Sequence, residues 1–300
     1  MFEKRTDLAL EAREIHRESS GIEVFETKKD GMTITTAVVK EGEGERLSGK
    51  SAGKYITLDV GEIWRFDKKR FERSAKIIAY EISVLVPQGD GCILVVGLGN
   101  ESITPDSIGP RALKKLIVTR HIESIDPVLY QTTGFDKVAA LAPGVLGQTG
   151  IETAEIIKSV CESIRPKCVV IIDALASRRL SRLATTVQIS DVGISPGSGV
   201  ANHRSELSAK TLGTAVVSIG VPTVVDAATL AYDLLEECLG DQDERLSEIA
   251  EKILSRNGKN MFVTLKDNDV IAAETAKLLA TAINMALHKM DINELNEYVN

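Results

Sequence analysis

The chain has 300 residues, 43% of them hydrophobic and 26% charged, with a formal net charge of −7. That is ordinary globular composition, long enough for one large α/β domain or two smaller ones. The acidic balance argues against a general binder of phosphate backbones, while leaving room for a basic partner or substrate. Four cysteines (Cys92, Cys161, Cys168, Cys238) lack CxxC spacing and read as buried thiols of a reducing compartment, neither a disulfide frame nor a zinc site. No apolar run approaches membrane-spanning length, and the N-terminus is charged where a signal peptide needs an apolar core, so a cytoplasmic protein is expected.

In chain order, Arg5 to Ile15 predicts a short helix. Ile22–Thr27 and Met32–Val39 alternate and are β-branched around Lys29-Asp30-Gly31, which predicts a hairpin. Glu41 to Gly53, rich in Gly, Ser, Lys and Glu, reads as a surface loop. Tyr55–Val60 predicts a strand, and Asp67 to Val86 has helical periodicity. Cys92–Val96 is a continuous apolar run, the mark of a strand buried on both faces. Gly97-Leu98-Gly99-Asn100 punctuates its carboxyl end, where open α/β sheets place their ligands. Pro110 suits the first turn of a helix running to about Arg120, so Asp106 falls in a short loop between strand and helix. A short strand is expected at Val128–Tyr130, and a loop at Pro143–Gly147 that could lie over the site. Thr149 to Ile164 reads as a helix with Thr149 and Glu152 as a capping box.

Cys168–Ile172 is a second wholly apolar strand, and it is expected to end on Asp173. Thr185–Ile189 is another strand, and Ile194–Arg204 a Gly-rich loop that either cradles an anion or peptide carbonyl or is a plain turn. Ala215–Asp226 is a further buried strand, Ala227–Leu239 a helix, and Ala272–His288 an apolar helix against the core. Strands alternating with helices imply a three-layer α/β/α fold with a mainly parallel sheet, plus a small N-terminal β-hairpin region.

If the two central strands are parallel neighbours, Asp106 and Asp173 project from one edge. Two carboxylates in a shared site push their pKa values apart and can work as a general acid/base pair. Each could instead only cap the helix after it. Other chemistry is poorly supported. Ser102 stands where the third Gly of GxGxxG belongs, and no GxxxxGK[ST] or GxSxG stretch occurs. The four histidines (His16, His121, His203, His288) are scattered, and only His203 is expected near the active edge. No metal or cofactor is expected.

Several blocks together resemble one family. They are Arg5–Ala12, Leu47-Ser48-Gly49-Lys50, Gly97–Asn100 with Thr104-Pro105-Asp106 and Gly109-Pro110, Ile172–Ala176, Gly199–Ser208 and Gly220–Ala227. In order over nearly the whole chain, they look like the germination protease of spore-forming bacteria. The Gly-Leu-Gly-Asn…Asp…Gly segment and the aspartate-bearing strand are also similar to hydrogenase maturation endopeptidases. The first resemblance implies an atypical aspartic endopeptidase, with Asp106 and Asp173 as its essential aspartates. It implies degradation of small acid-soluble, DNA-protecting spore proteins during germination, in the forespore and spore core. It further implies a homotetramer made as a zymogen that processes itself. Family cleavage after an acidic and before an apolar residue places the cut between Asp7 and Leu8. Residues 1–7 would then be a short propeptide, and 8–300 a single peptidase domain. The segment before Thr6 is shorter than the family's propeptide, and His203 stands where a Lys is expected.

Candidate groups for substrate or oxyanion binding are Gly99, Asn100, Gly199, Asn202 and His203. Two other readings remain at this point. One is a nickel-dependent peptidase of the hydrogenase-maturation type, with His203 as a ligand. The other is a non-enzymatic module binding a small molecule or nucleotide through its glycine loops.

Overall fold

The computed structural model describes residues 6–15, 21–195, 205–239 and 261–299. Helix α1 (Ala9–Ile15) leads into the hairpin β1 (Ile22–Lys29) and β2 (Met32–Val39), then α2 (Glu43–Ser48), β3 (Gly53–Asp59) and the long α3 (Lys68–Leu85). Strand β4 (Cys92–Gly97) is followed by a 3-10 turn at Thr104–Asp106, then α4 (Ile108–Leu113), α5 (Arg120–Ile125), α6 (Pro127–Thr133), β5 (Lys137–Leu141), α7 (Leu146–Thr149) and α8 (Thr153–Ile164). Next come β6 (Cys168–Ser177), β7 (Thr186–Ser190), β8 (Gly193–Ile194), β9 (Leu207–Ser208), α9 (Ala209–Leu212), β10 (Ala215–Asp226) and α10 (Ala227–Leu239). The chain closes with β11 (Phe262–Val263), α11 (Asn268–His288) and α12 (Ile292–Val299).

Among the described residues, one sheet runs in the order β1-β2-β3-β7-β10-β6-β4-β5, with β11 against β10. Strands β10, β6, β4 and β5 are parallel, and the hairpin with β3 and β7 extends them as an antiparallel wing. The fold is therefore α/β with helices on both faces, and the N-terminal hairpin is continuous with the central sheet. The parallel strands follow from their residues. Val169 to Ile172 and Ile93 to Val96 are essentially fully buried, and branched side chains on both faces suit a strand covered by helices twice.

Alternation divides the two faces. Cys168, Val170 and Ile172 point into the larger core under α3, α4 and α11, whereas Val169 and Ile171 point into the smaller core under α8 and α9. Helix α1 covers the same side of the wing through Ala9, Ala37, Val39 and Tyr55.

Several local expectations need correction. Strand β6 does not end at Asp173 but runs on to Ser177, because β10 continues beside it through Val225. Val128–Tyr130 is helical: the Asp126 carboxylate accepts from Leu129 N–H at 2.9 Å and Pro127 opens the helix. The expected Thr149–Ile164 helix starts only at Thr153: Thr149 instead ends α7, Gly150 follows in the left-handed region at φ 71°, and Glu152 rather than Thr149 stands at the N-cap of α8, so the expected capping box does not form; α4 stops at Leu113. The expected loop at 41–53 contains α2. Three cysteines are buried, with the Cys168 thiol pushed up to about 12 by burial, but Cys238 is exposed. Contrary to the absence of any membrane-length run, α11 is long and apolar enough to cross a membrane; 67% of its most apolar window is buried inside the protein.

Helix α11 also carries a buried histidine. His288 Nε2 lies 3.0 Å from the Ile117 carbonyl, so Nε2 is assigned the proton, and burial lowers the pKa of the ring. The unfolded ring takes up its proton near pH 6.5, whereas the folded ring does so only at lower pH. Stability from this residue is thus complete above about pH 6.5 and is lost as pH falls toward the folded value. Between pH 7.5 and 5.5, wild-type protein is expected to lose a few °C more in Tm than His288→Gln. Equal losses in calorimetric melts of the two proteins would reject this account.

Candidate active site

The turn after β4 is shaped by close backbone contact. A Cβ on Gly97 would lie 2.5 Å from the Gly109 carbonyl oxygen, and one on Gly109 would lie 2.3 Å from that of Leu98. The glycines thus let the first turn of α4 sit directly on the end of β4. Leu98 N–H still reaches the Ile172 carbonyl at 2.8 Å, bringing the turn beside the middle of β6. Gly99 has φ +111°, and a Cβ there would lie 2.0 Å from the Asp106 carbonyl oxygen. The dinucleotide-like Gly97-Leu98-Gly99 spacing therefore serves chain packing, and its product is the position of Asp106.

Neither candidate aspartate stands at a helix N-cap: Ser107 holds that place before α4, and Asp173 lies inside β6. Asp106 ends the 3-10 turn, and its Oδ2 accepts the Asn100 N–H at 2.8 Å, back across the loop. Asp173 is 6% exposed, its Oδ1 accepts the Ala174 N–H at 2.9 Å, and it continues the Val169–Ile171 face. A cavity of 430 Å³ joins them, lined also by Gly99, Val145, Leu175 and Thr223. Gly144 and Val145 belong to the loop expected over the site, and they do line it.

Asp7 lines the same cavity. Its N–H donates to the Ala176 carbonyl at 2.8 Å, and the Ala176 N–H donates to Asp7 Oδ2 at 2.8 Å. The N-terminal segment is thereby laid along β6, three residues beyond Asp173. Leu8 is fully buried, and its N–H reaches Thr6 Oγ1 at 3.0 Å. The Thr6 hydroxyl in turn donates to Glu11. Glu11, wholly buried at the start of α1, also accepts the Arg178 and Arg179 N–H groups at 2.7 and 3.1 Å and pairs with Arg182. Burial raises the Glu11 pKa against the pull of these donors. Residues on both sides of the Asp7–Leu8 bond are therefore tied to β6 and the turn after it.

The other sequence candidates separate. The Asn100 N–H holds Asp106, while the Asn100 side-chain oxygen accepts from Ser102 N–H at 3.0 Å and Gln148 Nε2 at 2.8 Å, so this residue acts as a brace for the loop. Gly199, Asn202 and His203 lie outside the described residues. Among the described residues no group of three or more His, Cys, Asp and Glu is placed to hold a metal ion. Two contacts of the Asp7 segment had no local sequence signal: Lys50 reaches it from the turn between α2 and β3, and Gln188 from strand β7.

The family model described as Germination protease, Peptidase_A25, matches residues 2–249. A germination protease of Caldanaerobacter subterraneus subsp. tengcongensis is 42% identical over 304 residues, covering 94% of this chain and 94% of that protein. A germination protease of Bacillus subtilis is 38% identical over 345 residues, covering 95% of this chain and 93% of its own length. Among solved structures, the NiFe hydrogenase maturation protease HycI of Thermococcus kodakarensis is similar with a TM-score of 0.37 and 17% identity, over 68% of this chain and 98% of that one.

Proposed function

The chain belongs to the germination protease family and is accordingly a peptidase acting on proteins, and from that premise we propose that Asp106 and Asp173 activate the water that cuts the peptide bond. The observation that carries this reading is the single cavity lined by Asp106, Asp173 and Asp7. One carboxylate, ionised, takes a proton from the attacking water. The other, kept protonated by its neighbour's charge, polarises the scissile carbonyl and then protonates the leaving amine. The proton taken from water restores the pair to its starting state once product leaves, and the two groups titrate jointly. Activity on this reading falls on both sides of an optimum: at low pH when both carboxyls are protonated, at high pH when neither is.

We infer further that the protein is made as a zymogen and removes residues 1–7 by cutting between Asp7 and Leu8. The substrates on this reading are small acid-soluble spore proteins, met in the spore core during germination by a homotetramer of this chain. The support for the processing site is the acidic–apolar pair Asp7-Leu8 and the docking of Asp7 on Ala176 of β6, in the cavity that Asp173 also lines. The test is the N-terminal mass of purified full-length protein, before and after incubation at mildly acidic pH, alongside Asp106→Asn. Loss of residues 1–7 by the wild type alone is expected. An unchanged wild-type mass would remove the self-processing reading, and identical processing by Asp106→Asn would remove that aspartate from the chemistry.

A further inference from the structure

Two polar side chains from distant segments hold the Asp7–Leu8–Ala9 stretch, and neither is part of the acid/base pair. Gln188 brackets the Asp7–Leu8 bond. Its Nε2 donates to the Asp7 carbonyl at 3.3 Å, and its Oε1 accepts the Ala9 N–H at 2.9 Å. Gln188 lies in the row Asp173–Gly220–Gln188 across β6, β10 and β7. Val187 and Ile189 face the larger core, so Gln188 projects on the opposite face, the one that carries Asp173. The strand between them presents Gly220, which has no side chain to stand in the way; Leu175 from β6 covers that place.

Lys50 meets the Asp7 side chain from the other direction. Its Nζ is 3.8 Å from Asp7 Oδ1, and the two side chains are only 14% and 11% exposed. The lysine is held in place locally. Gly49 closes α2 in the left-handed region at φ 63°, the Lys50 N–H donates to Ser48 Oγ at 3.1 Å, and Glu45 accepts the Ala52 N–H at 3.0 Å. With the Ala176 N–H on Oδ2, both oxygens of the Asp7 carboxylate face a positive or donor group. Beside them opens a cavity of 190 Å³, lined by Lys50, Ser51, Tyr55, Gln188 and Glu206.

We propose that Lys50 and the Ala176 N–H form the subsite that selects an acidic residue before the cut bond, and that the Gln188 carboxamide is the clamp that holds that bond. The proposal rests on the reading that the Asp7–Leu8 bond is the one cut. A carboxamide that donates to the carbonyl of the bond and accepts from the second N–H beyond it fixes both ends of the reacting unit. Its N–H strengthens its hold as negative charge gathers on that carbonyl oxygen. A largely buried ammonium, by contrast, acts on the side chain alone. Its loss leaves the chemistry in place and removes the preference for charge.

The test compares rates of cutting at residue 7 by mass spectrometry, in the full-length chain and in an added peptide spanning Arg5–Ala12. Each substrate is made with Asp or Asn at position 7. The wild type is expected to cut the Asp form about tenfold or more faster than the Asn form. In Lys50→Met that ratio is expected to fall to about unity, a change that general loss of folding cannot produce because it cancels in the ratio. Gln188→Glu keeps the size of the side chain and loses the donor, and it is expected to slow the Asp and Asn forms alike by about tenfold or more. An unchanged Asp/Asn ratio in Lys50→Met overturns the acid subsite, and wild-type rates in Gln188→Glu overturn the clamp. If the wild type cuts neither its own chain nor the peptide, the reading of the Asp7–Leu8 bond fails and the proposal falls with it.

Discussion

Asp106→Asn and Asp173→Asn are each expected to lower kcat/KM for a protein substrate by about 10³-fold or more, with little change in melting temperature. The fold should survive because asparagine keeps the size of the side chain and one oxygen. That oxygen is enough to accept the Asn100 N–H at position 106 or the Ala174 N–H at position 173. What asparagine cannot do is exchange a proton with water. Because the two carboxyls act as one unit, removing the second after the first should cost little more, so the double variant should be no slower than the slower single one. Two independent losses that multiply would instead mean that the aspartates serve separate steps. Near-wild-type turnover by either folded variant would leave the pair without a catalytic part.

Much of this is legible in the amino-acid sequence, for physical reasons that differ between elements. The runs Cys92–Val96 and Cys168–Ile172 announce themselves as strands because burial on both faces demands unbroken apolar residues, and both are almost wholly buried. Asp106 was legible because glycines can only punctuate a strand so densely where backbones touch. The stretch Val128–Tyr130 misled: its β-branched and aromatic residues favour a strand, while the Asp126-Pro127 start signal that decides the helix is two residues long. The extension of β6 past Asp173 had no local mark, since Ala174–Ser177 is held as strand by the length of its neighbour β10. Gln188 was invisible as a partner of Asp7 for the same reason, and Lys50 because the turn between α2 and β3 meets Asp7 only once the chain is folded. Contacts between one end of the chain and the middle of a distant strand are set by sheet order and register, which the composition of either segment does not encode.

The second large effect lies one residue before Asn100, where Gly99→Ala is expected to cost activity while replacing neither carboxylate. At φ +111° an L side chain is strained by about 1–3 kcal/mol, and its Cβ would fall 2.0 Å from the Asp106 carbonyl oxygen and 2.9 Å from Asp106 Oδ1. The contact is with backbone, so a rotamer change cannot relieve it, and the 3-10 turn carrying Asp106 must move. A displacement of about 1 Å in a reacting group lowers rates about 10²-fold, and that is the fall expected in kcat for Gly99→Ala. Gly147→Ala supplies the control. Gly147 lies within α7 with no atom near its missing Cβ, so alanine there should be neutral or stabilise by up to about 1 kcal/mol. Thermal melts separate the two possible causes of a Gly99→Ala defect, since unfolding would remove activity and structure together. A folded, inactive Gly99→Ala beside a fully active Gly147→Ala would establish that the glycine turn exists to set Asp106 against Asp173. A folded Gly99→Ala with wild-type turnover would mean that the site tolerates Asp106 elsewhere, and the acid/base role assigned to that carboxylate would have to pass to another group.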